Sequence, residues 1–431
     1  MKSTTFLVIA TCCSFVCKSQ FNQQFSTTDI DNFWKAYDKV VSTKDTTLQK
    51  KYLADLYIDK GTEGLKSLMQ LRRYSLDEYR RIILDYPKFW KSIRPNINSA
   101  KKYFPGIKKN IEKLRQLYPA LQPSTIYFAV GAFRTNGTID GHKILIGAEQ
   151  AMSDKKVGIS EVPDFVKEFN TLYNPISDLE FLCTHEYIHT QQKQIVDNLL
   201  TYCLYEGIPE FLATIVTGKQ SYVSAVGYAE KNPTQVRNRF EEEMFMPSKT
   251  FDWLWSSNKV FGERDLGYGV GYLVAKGYYE KATDKKKAVA AMIELDFSNE
   301  KEVENYVHQS GFFSKSLDEL YAAFQARRPF VSSVTGIENG SKTVKPGKTV
   351  ITIHFSEALN GHNTGVDYGS GEAATFPKLD AERIWSADKK SWQLTAQLEP
   401  NKHYQILISN NFRLENGTPL KAFLVEFWTT E

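Results

Sequence analysis

Apolar and polar positions change their rhythm along this chain, and each change marks a new part. Between residues 28 and 118 the apolar side chains recur at helical spacing. Phe33, Ala36, Tyr37 and Val40 form one set, Leu53, Leu56 and Tyr57 a second, and Tyr79, Ile82, Ile83 and Tyr86 a third. Steps of three and four put such residues on one helix face, so this stretch reads as helices punctuated by Pro87, with the aromatic stripes as core. From residue 124 the pattern shortens. Residues 124–131 (Ser-Thr-Ile-Tyr-Phe-Ala-Val-Gly) and 143–147 (Lys-Ile-Leu-Ile-Gly) are dense in β-formers and read as strands. Asn136-Gly137 between them is a hairpin-type turn signal.

Residues 160–328 return mainly to helical spacing. Ser177-Asp178-Leu179-Glu180 has the form of a capping box, with Ile176 and Phe181 placed as a hydrophobic staple. This predicts a helix that starts at Ser177 and runs through Phe181, Leu182, His185, Ile188 and His189. Beyond Pro329 the rhythm changes again. Residues 349–355, 392–398, 404–408 and 423–428 are short β-rich runs, separated by Asn339-Gly340, Pro346-Gly347, Glu399-Pro400-Asn401 and Asn416-Gly417. Short strands with turns at this spacing predict an all-β sandwich. The expected class is therefore α+β, divided at residues 1–19, 20–118, 119–328 and 329–431.

Composition refines this division. The chain has 431 residues, 42% hydrophobic and 24% charged, so it can bury sizeable cores. A net charge of +4 is slight for this length, and the most basic run, Lys285-Lys286-Lys287 after Asp284, reads as a solvated helix end. No nucleic-acid partner is expected. Lys2, the apolar stretch 6–16 and Ser19 have the layout of a secretory signal with a cut after residue 19. That stretch is too short to span a bilayer, and no later segment is expected to span one. The expected location is secreted, periplasmic or cell-surface, with lipid attachment at Cys17 as the alternative to simple cleavage. Of five cysteines, Cys12, Cys13 and Cys17 would leave with the signal. Cys183 and Cys203 remain, either paired or as two buried thiols.

The chemistry concentrates in His185-Glu186-Tyr187-Ile188-His189. Histidines four apart lie on one helix face and can reach a single ion, while the glutamate between them can reach a water on that ion. A catalytic zinc needs a third protein ligand and an open position. Leu204-Tyr205-Glu206-Gly207-Ile208-Pro209-Glu210 offers two. Because Pro209 suits a helix start, a helix is expected to begin near Glu206. Glu206 and Glu210 would then share a face, one ligating and the other orienting a ligand. Tyr268 and Tyr272, four apart in Gly-Tyr-Gly-Val-Gly-Tyr, are the best candidate donors to a developing oxyanion, although such a pattern more often marks core aromatics. His142 and His308 are lone histidines and read as structural.

His185-Glu186-Tyr187-Ile188-His189 followed by Glu206-Gly207 resembles the gluzincin metallopeptidases, and residues 124–328 resemble a bacterial group of predicted zinc proteases. The resemblance covers about half the chain and implies several things. The fold of 119–328 would be zincin-like and mostly helical with a small sheet, and the strand before the motif would align substrate. The ligands of Zn2+ would be His185, His189 and Glu206, with Glu186 as general base in hydrolysis of a peptide or protein substrate. Tyr268 or Tyr272 would assist. Residues 329–431 resemble a bacterial Ig-like domain, which implies a spacer or a cell-surface module. A non-catalytic binding protein on the same scaffold is the alternative function.

Overall fold

A computed structural model of the chain describes residues 23–193 and 198–431. The signal expected at 1–19, with Cys12, Cys13 and Cys17, lies outside the described residues. The fold is α+β. It divides into two compact units, Met1–Gln191 with Val216–Gly218, and Gln192–Ile215 with Lys219–Glu431.

In the first unit, the helical stripes of the sequence become a core. Phe33, Tyr57, Tyr79, Phe89 and Trp90 are fully buried and pack ring against ring. Beside them stands a sheet whose order, among the described residues, is β1-β2-β4-β3. Its strands are β1 (Gln24–Ser26), β2 (Thr125–Ala129), β3 (Gly137–Asp140) and β4 (Lys143–Gly147). Strands β2 and β4 are parallel, whereas β3 hairpins back onto β4. The tight turn is therefore at Gly141, whose φ of 54° is left-handed, and not at Asn136-Gly137 as the sequence suggested. Gly137 instead opens the edge strand.

Two tyrosines and a glutamate brace the loop before β3. The Tyr57 and Tyr79 hydroxyls donate to the Val130 carbonyl at 2.5 and 3.0 Å. The buried Glu149 carboxylate accepts from the Gly131 and Phe133 amides at 2.7 and 3.0 Å. Burial pushes the Glu149 carboxyl up to about 7, against the pull of those amides.

The motif helix is Pro175–His189. It begins earlier than the capping-box reading placed it. Pro175 occupies the first turn, where its missing N–H costs nothing. Ser177 lies inside the helix and donates its hydroxyl to the Asn174 carbonyl at 2.7 Å. The Glu180 carboxylate lies against Gly106, where a Cβ would fall 2.0 Å from its Oε1, so the preceding helix Phe104–Leu117 can pass close by. Residues Phe181 to His189 are all buried. A helix apolar on every side has to be enclosed.

The second unit contains most of the helix Leu199–Thr217, as far as Ile215. The sequence reading started this helix near Glu206, on the strength of Pro209. The start signal is instead Asn198, whose side chain accepts from the Thr201 amide at 2.9 Å. Pro209 is interior, so the Tyr205 carbonyl four residues back lacks its usual helical donor. The Gln192 side chain donates to it, at 3.2 Å. At 19 residues this helix is long and apolar enough to cross a membrane by length and composition, which the sequence reading did not anticipate, although 72% of it is buried in the fold. The Lys285–Lys287 run sits in the first turn of a helix capped by Asp284.

The C-terminal part of this unit is β-structure around one core. Strands β5 (Val331–Thr335), β6 (Gly347–Phe355), β8 (Lys378–Trp385) and β9 (Ser391–Leu398) form a sheet in the order β5-β6-β9-β8. Strands β7 (Val366–Asp367), β10 (His403–Ile408) and β11 (Phe423–Trp428) form another, in the order β11-β10-β7. The pairs are antiparallel. Alternate residues of β9, Trp392, Leu394, Ala396 and Leu398, point into a cluster shared with Ile406, Val425 and Phe427 of the other sheet. The four strands expected from the sequence are present. Strands β5, β7 and β8 carry many exposed positions and gave no apolar run to read.

Candidate metal centre

The motif helix presents two imidazoles on one face. His185 and His189 are each about 5% exposed, with Nε2 atoms 3.0 Å apart and rings edge to face. One ligand atom from each histidine and a carboxylate oxygen of Glu206 all lie within 4.8 Å of one another. Atoms about 2 Å from a common ion fall at such separations. Two imidazoles and one carboxylate suit a divalent metal ion. The sequence-predicted ligand set is thus brought together.

The rest of the motif has separate tasks. Tyr187 anchors the helix to the start of β2. Its hydroxyl accepts from the Ser124 amide at 3.0 Å and donates to the Gln122 carbonyl at 3.1 Å. Burial pushes that hydroxyl up to about 12. Thr190, just past the helix, shares a hydrogen bond of 2.9 Å with Ser124. Glu186 is buried and faces the first residue of β3. A Cβ on Gly137 would lie 2.6 Å from Glu186 Oε1 and 2.9 Å from its Cγ. Glycine there lets the edge strand pass over the carboxylate with Glu186 in this position. The sequence signal was visible, but it was assigned to a turn.

On the second helix, Glu206 is half-buried and Glu210 fully buried. Glu210 accepts a hydrogen bond from the Ser221 hydroxyl and is not part of the ligand cluster. Gly207 explains how the Glu206 backbone is held. Its Cβ would fall 2.2 Å from the Gly271 carbonyl carbon, and a Cβ on Gly271 would fall 1.7 Å from the Cys203 carbonyl oxygen. The helix Leu266–Lys281 therefore runs against the Glu206 helix backbone to backbone.

Tyr268 and Tyr272 both lie on this third helix. Tyr272 is buried and packs edge-on against Phe211 at 5.5 Å. Tyr268 is half-buried, one turn earlier. At the start of the same helix is a residue the sequence reading missed. Asp265 sits at φ 60° and is hydrogen-bonded to Arg264 at 3.1 Å. Burial raises its carboxyl to about 6, and the charge of Glu206 adds to the rise. An aspartate directly before an apolar helical run was the available signal. Cys183 and Cys203 are buried free thiols, which excludes the disulfide alternative, and burial pushes both well above the usual thiol range. Such thiols behave as small hydrophobes. His142 and His308 are exposed and stand apart from the cluster.

No protein-family model matches this chain, and no curated protein matches it in sequence.

Proposed function

We propose that this protein is a zinc-dependent peptidase, with His185, His189 and Glu206 as metal ligands and Glu186 as general base. The observation that carries the reading is the convergence of one ring nitrogen from each histidine and a carboxylate oxygen within 4.8 Å, with the Glu186 carboxyl on the next residue of the same turn. When bound, zinc would supply Lewis acidity, acidifying a water and polarising a carbonyl. Glu186 takes the proton of the attacking water on a carboxylate oxygen and returns it to the leaving amine. Its burial keeps that proton from bulk solvent. The edge strand β3 passes over Glu186 with one side unpaired within the sheet order, which suits alignment of an extended chain beside the base. Tyr268 is the favoured oxyanion donor, because it is the less buried of the two tyrosines, Tyr272 being packed against Phe211. We read 119–328 as zincin-like, 329–431 as an Ig-like module suited to a spacer or surface role, and 1–19 as the export signal.

The test measures zinc stoichiometry and hydrolysis of an unfolded protein, for wild type and Glu186→Gln. The expected result is one zinc in each, with turnover only in the wild type. Zinc in both with equal, negligible turnover would sink the peptidase reading. Absence of zinc from the wild type would sink the site.

A further inference from the structure

The helix Leu199–Thr217 is buried along most of its length, but it opens at Tyr202, Tyr205 and Glu206. These are spaced three and four apart, so they form one stripe. Glu206 thus has Tyr202 one turn before it on its own helix face. Tyr202 stands edge-on to Trp255, with ring centroids 5.5 Å apart at 78°.

Trp255 ends a short helix, Thr250–Leu254, that is firmly anchored. Trp253 and Leu254 are buried, and the Trp253 indole N–H donates to Glu243 at 2.9 Å. A Cβ on Gly267 would touch Leu254, Cys203 and the Trp253 carbonyl, so this helix is pressed onto both neighbours. From that fixed base two aromatic rings project outward. Trp255 is 46% exposed, and Phe251, whose carbonyl accepts from the Trp255 amide, is 61% exposed. Large aromatics left in water on a rigid element beside a reactive group mark a contact surface.

We infer that Tyr202 and Trp255 form a subsite for a large apolar or aromatic side chain of the substrate. The inference rests on the peptidase reading of Glu206 for the identity of the ligand as a peptide. Tyr202 and Glu206 are about 6 Å apart along the helix axis, at a 1.5 Å rise per residue. An extended peptide advances about 3.3 Å per residue. A side chain seated at Tyr202 and Trp255 would therefore belong within two residues of the carbonyl that reacts beside the ion Glu206 would ligate. An aromatic side chain gains burial of its ring and an edge-to-face contact, whereas alanine gains neither.

The test uses the full-length, zinc-loaded Glu186→Gln protein, titrated with blocked hexapeptides of glycine and alanine in which one phenylalanine is moved through every position. The best phenylalanine peptide should bind about tenfold more tightly than its all-alanine parent. Trp255→Ala and Tyr202→Ala, each made in the same background, should both remove that advantage, with zinc content and affinity for the alanine peptide unchanged. Equal affinity for both peptides in the parent protein overturns the proposal, as does an advantage that survives both substitutions. Wild-type cleavage of the same set places the phenylalanine, and a preferred position beyond two residues from the cut also overturns the proposal. If the wild type cleaves nothing, the peptidase reading fails, and the binding series still decides the subsite.

Discussion

Glu206 and Glu210 are one turn apart on the same helix, yet their carboxylates have different partners. Glu206 joins two histidine nitrogens, and Glu210 is spent on the Ser221 hydroxyl. Glu206→Ala should therefore lower zinc affinity at least a hundredfold, and Glu210→Ala no more than tenfold. Competition against a chelator of known affinity reads both, and the reverse ranking would refute the ligand assignment. Gly137 makes the second residue-scale case. The atom its Cβ would strike is the mobile end of Glu186, which can swing aside at little cost in stability. Gly137→Ala should hence change the melting temperature by only a few degrees, keep its zinc, and lose tenfold or more in kcat/KM by displacing the base. Full activity in that variant would mean that Glu186 does not work from this position. The choice of Glu206 over Glu210 rests on the family resemblance; His185, Glu186 and His189 are legible in the sequence because their spacing is local to one helix. Gly137 and Asp265 are not, because their roles are defined by groups that approach from distant parts of the chain.

At the scale of elements, the contact between the Glu206 helix and the helix Leu266–Lys281 has no room for one methyl group. In isolation, Gly271→Ala would favour a helix by about 1 kcal/mol. Here the new Cβ would sit 1.7 Å from a backbone oxygen that cannot rotate away. Overpacking of that kind costs about 3 kcal/mol, so the loss wins. Urea denaturation should show a net destabilisation of about 2 kcal/mol, accompanied by weaker zinc binding as the Glu206 helix is displaced. A variant as stable as wild type would show that the two helices separate freely. The same helix shows where sequence signals mislead. Pro209 is a strong local mark of a helix start, but Asn198 supplies the cap and Gln192 satisfies the carbonyl that proline leaves without its helical donor. Ser177 and Glu180 likewise have the letters of a capping box, but Pro175 starts the helix first. In both places a second start signal a few residues further upstream set the boundary. The C-terminal strands were easier to read where alternation was strong, as in β9, and invisible where it was weak, as in β8.

For the whole molecule, the buried Glu149 ties stability to pH. Its carboxyl titrates near 7 in the fold, above the 4.5 of an exposed glutamate. Between those values the native protein holds a proton that the unfolded chain has released, so stability falls as pH rises through this window and levels off above it. The full difference corresponds to about 3 kcal/mol. Asp265, raised to about 6, acts in the same direction. Urea midpoints measured from pH 4.5 to 8 should fall in the wild type, and Glu149→Gln should flatten that fall. An identical slope in both would remove Glu149 as its source.

The motif helix has a further consequence for how this protein tolerates change. A surface helix accepts substitutions with a period of 3.6 residues, on its wet side. Phe181 to His189 have no wet side. A saturation library across this segment should therefore give a solid block of intolerance with no helical ripple. Selection would act on the enclosing walls as strictly as on the proposed metal ligands, so new variants of the protein would have to arise by altering the strands and loops around this helix while the helix itself stays fixed.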